Sequence, residues 1–144
     1  LVGDGPLRPE MERRVAQMGL QDHVRFLGVR NDISELMAVF DVFAFPSLFE
    51  GLGIVLIEAQ ATGLRCVVSD AVPAEADMGV GLVDFVSLDD REAWVAELLK
   101  PTGPRKDTHE ALRAKGYDVR ETARWLQDYY LEHAKRARVS QEPD

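Results

Sequence analysis

Four short runs rich in β-branched and aromatic residues, at positions 24–28, 42–46, 66–69 and 83–86, alternate along the chain with stretches of helical spacing. Each is too short for a helix and lacks the polar alternation of a half-exposed strand, which suits parallel strands buried on both faces. Residues 1–3 read as the tail of a fifth. Leu7, Met11, Val15 and Met18 form one helical stripe with Gly19 placed to end it, and Asp32 is positioned to cap a short helix carrying Ile33, Leu36, Met37 and Phe40. Residues 53–61 begin a mostly apolar helix that Gly63 stops, and Asp89 or Asp90 opens one bearing Trp94, Val95, Leu98 and Leu99. Strand–helix–strand alternation at this spacing predicts an α/β fold, a three-layer Rossmann-like parallel sheet with right-handed crossovers. Ligands of such sheets sit at the carboxyl ends of the strands. The loops of interest therefore begin at Gly3, Gly28, Pro46 and Ser69.

Two prolines and a glycine in residues 100–104 interrupt this pattern. Beyond them two helices are expected, over 108–115 and 118–138, with Val119, Ala123, Leu126 and Tyr130 on one stripe of the second. Trp125, Tyr129 and Tyr130 are expected to pack that helix rather than stack on a ligand. The predicted division is a ligand-binding Rossmann-like part at 1–103, terminal helices at 104–138 and a disordered tail at 139–144. At 144 residues the chain is the size of one domain. It opens on an apolar dipeptide running into Gly3-Asp-Gly-Pro, with neither an initiator Met nor a signal peptide, so an upstream segment is expected. No apolar run approaches the roughly 20 residues that span a bilayer.

The net charge of −8 is unevenly placed: residues 1–99 carry 7 basic and 17 acidic side chains, and residues 100–144 carry 10 and 8. An acidic body argues against nucleic-acid binding, which needs a basic face. The lone Cys66 excludes an internal disulfide and a cysteine metal cluster, and reads as a buried structural thiol.

The most informative stretch is Phe45-Pro-Ser-Leu-Phe-Glu-Gly-Leu-Gly-Ile-Val-Leu-Ile-Glu58. A strand ends at Pro46, a polar loop follows with Ser47 at its start, and Gly51 and Gly53 bracket the beginning of a helix. Free N–H groups and the positive end of the helix dipole make that point a natural anion site, and glycines let a phosphate approach the backbone. Glu50 precedes it, and Glu58 lies between one and two turns inside the helix. A carboxylate accepts two hydrogen bonds at once, which matches a vicinal diol. Two carboxylates flanking an N–H cradle fit a molecule with diols at both ends and phosphates between, the layout of a nucleotide diphosphate sugar. Read alone, Glu50 is equally a solvated loop residue and Glu58 a helix-face residue. Glu58 stands among Ile54, Val55, Leu56, Ile57 and Ala59, where a charge is costly unless it has partners.

Other patterns carry less. Gly3-Asp4-Gly5 begins like a dinucleotide fingerprint, but Arg8 stands at the third glycine position. No Asp-x-Asp pair is present to hold a metal-bound diphosphate, so neither a divalent metal site nor a cofactor is expected. His23, His109 and His133 are scattered, and no Gly-x-Ser-x-Gly elbow surrounds Ser47.

Together, Gly28-Val-Arg-Asn-Asp-Ile-Ser-Glu-Leu-Met, Asp41-Val-Phe-Ala-Phe-Pro-Ser and Glu50-Gly-Leu-Gly…Glu58-Ala-Gln-Ala-Thr-Gly resemble the GT-B retaining glycosyltransferases of family 4. Ser69-Asp-Ala-Val-Pro-Ala-Glu-Ala-Asp and Lys115-Gly-Tyr-Asp-Val-Arg-Glu-Thr-Ala resemble their bacterial exopolysaccharide-biosynthesis branch. The resemblance implies the C-terminal, donor-binding domain of a GT-B fold. It places the ribose on Glu58, the donor hexose at Glu50, and sugar and diphosphate along the backbone of Gly51, Leu52 and Gly53. The base falls near Val29 and Arg30, with Gly3 and Ser47 as further donor contacts. Transfer would proceed with retention to a saccharide or lipid-linked acceptor held by an N-terminal domain. A cytoplasmic location follows, with the inner membrane face as a natural place for a lipid-linked acceptor and peripheral association of a longer protein.

The chain departs from the family pattern in several places. The upstream glycine-rich loop, the Arg/Lys pair for the diphosphate and the acceptor domain do not occur in it, so these residues alone are expected to bind donor weakly and transfer nothing. Gly53 stands where the branch often has proline, and Arg65 where proline usually follows Gly-Leu. A sugar-nucleotide epimerase of the same fold, needing acid/base groups, and a non-catalytic α/β binding domain remain as alternatives.

Overall fold

Residues Arg65–Ser69 form β2, the centre of a three-stranded parallel sheet in the order β1-β2-β3, with β1 at Val42–Phe45 and β3 at Val83–Val86. The computed structural model describes residues 1–139. Register pairs Phe45 with Val68 and Val68 with Phe85, so all three carboxyl ends lie along one edge. Burial on both faces, expected of every strand, holds for β2 alone, whose Cys66, Val67, Val68 and Ser69 are fully buried. As flanking strands, β1 and β3 stay partly exposed, with Ala44 and Phe85 reaching solvent. Burial pushes the Cys66 thiol up to about 12, the state of an inert structural cysteine.

The described residues also form the α-helices α1 Arg8–Gln17, α2 Ile33–Val39, α3 Ile54–Ala61, α4 Arg91–Leu98, α5 His109–Ala114 and α6 Val119–Val139, with a short 3-10 turn at Ala74–Ala76. Contacts divide the chain into two units, Leu1–Leu36 and Met37–Asp144. In the first, the expected strand at 24–28 does not form. The run meets residues 1–3 through an isolated Gly3–Gly28 bridge, with Gly3 N–H donating to the Gly28 carbonyl at 2.8 Å and Leu27 N–H to that of Leu1 at 2.9 Å. Asp32 sits at the start of α2, its carbonyl accepting from Leu36 N–H, but its carboxylate is held by Arg30.

In the second unit, α3 and α4 pack on the sheet. Asp90 caps α4 through Ala93 N–H at 2.9 Å, as its sequence position implies. Gly53 opens α3 at φ +77°, a conformation that L-residues rarely adopt and that proline, fixed near −65°, does not reach. The proline of related sequences therefore does not fit this backbone. At the other end Gly63, at φ +68°, donates to the Gln60 carbonyl while Leu64 N–H reaches back to Ala59, a Schellman stop. A Cβ on Gly63 would lie 2.3 Å from the Lys106 carbonyl oxygen, so the segment after α4 runs directly against this turn.

Gln60, fully buried, fastens α3 from inside. Its amide nitrogen donates to the carbonyls of Leu56 (3.1 Å) and Ala76 (2.8 Å), and its oxygen accepts from Met78 N–H at 2.8 Å. Both donors are satisfied, which such a group requires in the interior.

Asp118 opens α6 by accepting from Arg120 N–H at 2.8 Å, a bond that holds its carboxyl below the usual aspartate range. The aromatic residues expected to pack α6 are largely exposed: Trp125 is 63% and Tyr130 63% accessible, Trp125 stacks on Tyr129, and His133 lies tilted against Tyr129. The helix runs through Val139, one residue into the expected tail, and residues 140–144 lie outside the described ones. No helix among the described residues is long and apolar enough to cross a membrane.

Two stability predictions follow from α3. Gln60→Leu keeps the volume but strands the Ala76 carbonyl and Met78 N–H, and should lower unfolding free energy by about 2–4 kcal/mol in urea titrations. Gly53→Ala should cost about 1–2 kcal/mol for its left-handed backbone. Gly53→Pro should cost more, read as a larger fall in thermal midpoint.

Candidate functional site

The loop at 46–53 leaves the carboxyl end of β1 and runs into α3. Pro46 has no N–H, so backbone pairing between β1 and β2 cannot continue through it. A side chain takes over: the buried Ser69 hydroxyl, at the end of β2, donates to the Ser47 carbonyl. The Ser47 hydroxyl in turn donates to Glu50 Oε1 at 2.7 Å, with the Phe49 carbonyl a more distant 3.2 Å away. Glu50 is half-buried, while Leu48 and Phe49 before it are 84% and 85% accessible.

Gly51 and Leu52 are exposed and Gly53 is buried against Val72 and Ala76. Gly53 offers no side chain to cap α3. The Leu56 N–H turns back to the Gly53 carbonyl at 2.8 Å, and the N–H groups before it lie at the positive end of the helix dipole. A short run thus joins a hydroxyl-held carboxylate to the start of a helix that has no side-chain cap.

Glu58 departs from expectation. Its apolar neighbours in sequence turn inward, with Leu56, Ile57 and Ala59 buried, while Ile54, Glu58 and Ala61 form the exposed stripe of α3. The helical period separates residues that adjoin in sequence, so Glu58 suffers no desolvation and needs no buried partner. Its carboxylate is presented to solution one turn along from Ile54.

The remaining candidates belong to the unit Leu1–Leu36. The bridge between Gly3 and Gly28 puts Gly3 beside the turn that leads to Val29 and Arg30. Val29 is 78% accessible. Arg30 donates through Nε to Asp32 at 2.8 Å, and Asp32 raises the Arg30 pKa while its own is lowered. The guanidinium is thus already neutralised locally. Among the described residues no group of three or more His, Cys, Asp and Glu side chains is arranged to share a metal ion.

Sequence reasoning missed Ser69 as a member of this constellation, although the carboxyl end of β2 had marked that position as a loop start. It also missed Gln60, which lies within the quoted motif between Glu58 and Gly63.

Residues 1–101 match the family described as Glycosyl transferases group 1. EpsF of Bacillus subtilis (strain 168) is 41% identical over 135 residues, covering 90% of this chain and 35% of that protein. The UDP-Gal:alpha-D-GlcNAc-diphosphoundecaprenol alpha-1,3-galactosyltransferase of Escherichia coli is 42% identical over 71 residues, 49% of this chain and 18% of its own length. The chain therefore spans about a third or less of these relatives. Among solved structures, WaaG, a glycosyltransferase involved in lipopolysaccharide biosynthesis, aligns with a TM-score of 0.56 at 30% identity over 68% of this chain and 26% of that one. Anabaena HepE in complex with UDP and glucose aligns with a TM-score of 0.62 at 24% identity, over 85% of this chain and 39% of that one. The parallel sheet and its helices are those of a GT-B glycosyltransferase fold, and the chain belongs to the group 1 glycosyl transferases.

Proposed function

We propose that this chain is the donor-binding part of a retaining hexosyltransferase that uses a nucleotide diphosphate sugar in bacterial cell-surface polysaccharide synthesis. The observation that carries this reading is the continuous run from the Ser47-held Glu50 through Gly51, Leu52 and Gly53 into the uncapped start of α3, with Glu58 exposed on the same helix. The carboxylate of Glu58 accepts both ribose hydroxyls. The diphosphate lies along the N–H groups that begin α3, and Glu50 faces the hexose. The unit Leu1–Leu36 carries the residues that the family resemblance assigns to the base, Val29 and Arg30, and to a further donor contact, Gly3.

Chemistry on this reading is electrostatic. As the bond from the anomeric carbon to the diphosphate breaks, the negative charge growing on the leaving oxygen is met by backbone N–H groups and the helix dipole. The acceptor hydroxyl attacks from the face the diphosphate leaves and passes its proton to the departing phosphate oxygen, which retains configuration. Glu50 orients the hexose rather than acting as nucleophile. No metal is invoked.

The acceptor, a saccharide or a lipid-linked saccharide, is held by a domain outside these residues, and the 144 residues alone do not complete the transfer. The name of the Escherichia coli relative, which specifies a diphosphoundecaprenol acceptor, and a Vi polysaccharide biosynthesis protein of Salmonella typhi, 37% identical over 92 residues, support this class of product. The complex of HepE with UDP and glucose supports a nucleotide sugar as donor. Such an enzyme works in the cytoplasm, peripherally on the inner membrane face when its acceptor is lipid-linked.

Glu58→Ala tests the ribose contact without disturbing the fold, because the side chain is exposed and alanine favours helix. In calorimetric titrations of the full-length protein with UDP-, GDP- and ADP-sugars, one donor should bind, and the variant should lose about 1.5–3 kcal/mol of affinity. Binding of no sugar nucleotide, or an unchanged affinity in the variant, would overturn the assignment.

A further inference from the structure

The loop carrying Glu50 has little apolar anchorage. Leu48 and Phe49, its two largest side chains, are 84% and 85% accessible, and no regular structure covers residues 46–53. What ties it to the sheet is a relay of two hydroxyls. The first is Ser69, fully buried on β2 one residue past the Phe45–Val68 pair, which donates to the Ser47 carbonyl. The second is Ser47, which donates to Glu50 Oε1. A hydroxyl has one proton to give, and the shorter bond, to the charged acceptor, is the stronger. Oε2 of Glu50 makes no hydrogen bond among the described residues, so the relay holds one oxygen and leaves the other for a ligand.

The geometry points to Ser47 and Ser69 as positioning residues that aim the Glu50 carboxylate at the donor hexose, and so govern recognition of the sugar while leaving recognition of the nucleotide alone. This rests on the donor-site reading above. It assigns Ser47 a role through Glu50 rather than a direct donor contact, and brings in Ser69, which touches no ligand. The division follows from connectivity: the relay ends on Glu50, whereas Glu58 and the backbone at the start of α3 are held by other bonds.

The test compares two ligands on the full-length protein: the nucleotide sugar selected from the UDP-, GDP- and ADP-sugar panel, and its free nucleoside diphosphate. Ser47→Ala and Ser69→Ala should each weaken the nucleotide sugar by about three- to tenfold, the effect of one lost hydrogen bond. The nucleoside diphosphate should bind as before. Ser47→Thr, which keeps the hydroxyl, should restore wild-type affinity. In a Glu50→Ala background, Ser47→Ala should add nothing, because its target is gone.

Equal weakening of both ligands would show that the serines merely hold the fold, and unchanged affinities would show that the relay is idle. Either overturns the proposal. The Glu50→Ala control separates this from the broader reading. If it weakens the nucleotide sugar and the serine variants do not, the relay alone falls. Should Glu50→Ala change nothing, or no panel member bind, the hexose contact falls and the relay with it.

Discussion

The side-chain amide of Gln60 fixes where α3 can lie. Two of its three hydrogen bonds join the helix to the Ala76–Met78 segment, the third stays within α3 at Leu56, and the backbone carbonyl of Gln60 accepts from the Thr108 hydroxyl at 2.9 Å. Nearby, Arg105 donates to the Thr62 carbonyl at the end of α3 and to those of Met37 and Ala38 in α2. A cation among the carbonyl ends of two helices is favoured by their dipoles as well as by the bonds. Residues 105–108 thus strap one end of α3, and Gly63 is what lets that strap approach. The consequence lies at the other end. With its carboxyl end and inward face clasped, α3 is left with its amino end and the Ile54–Glu58–Ala61 stripe facing out.

Arg65 shows how a departure from a family pattern acquires a cause once neighbours are known. Its guanidinium donates to Asp84 on β3 at 2.7 Å, to the Glu97 carboxylate at 2.9 Å and to the Glu97 carbonyl at 2.8 Å. One side chain thereby ties β2, β3 and the last turn of α4 together. Proline at this position supplies none of these bonds. The two acidic partners lie 19 and 32 residues further along, so nothing local in the sequence connects them.

What the sequence makes legible is whatever a short window determines. The strands at 42–46, 66–69 and 83–86, the stop at Gly63, the cap at Asp90 and the glycines around α3 depend on periodicity or on a single backbone conformation, and all appear at their places. The run at 24–28 has strand composition, yet its pairing is limited to the isolated Gly3–Gly28 bridge, and composition does not encode pairing. Glu58 shows the converse, and of its two readings the helix-face position is the one the structure displays. Its immediate neighbours are apolar, but neighbours in a helix point around the full circle, and only the stripe at 54, 58 and 61 describes its surroundings. The Ser69–Ser47–Glu50 relay joins residues 22 apart across two strands and is invisible until the register is known.

On the proposed reading, that relay separates two kinds of recognition within one loop. Backbone N–H groups at the start of α3 are the same for any anion that fits, and they are fixed by Gln60 and the strap behind them. A side-chain carboxylate distinguishes hydroxyl patterns, because a misplaced hydroxyl leaves a polar group unpaired, and its direction is set by hydroxyls that contribute nothing to holding α3. On the proposed reading, sequence change in the loop can alter which hexose is accepted while nucleotide binding persists. Change at Gln60, Gly63 or Arg105 reaches the helix itself, and with it both kinds of recognition at once. On that reading, sugar preference is governed by short polar side chains between β1 and α3, and nucleotide binding by the buried clasp that neither ligand touches.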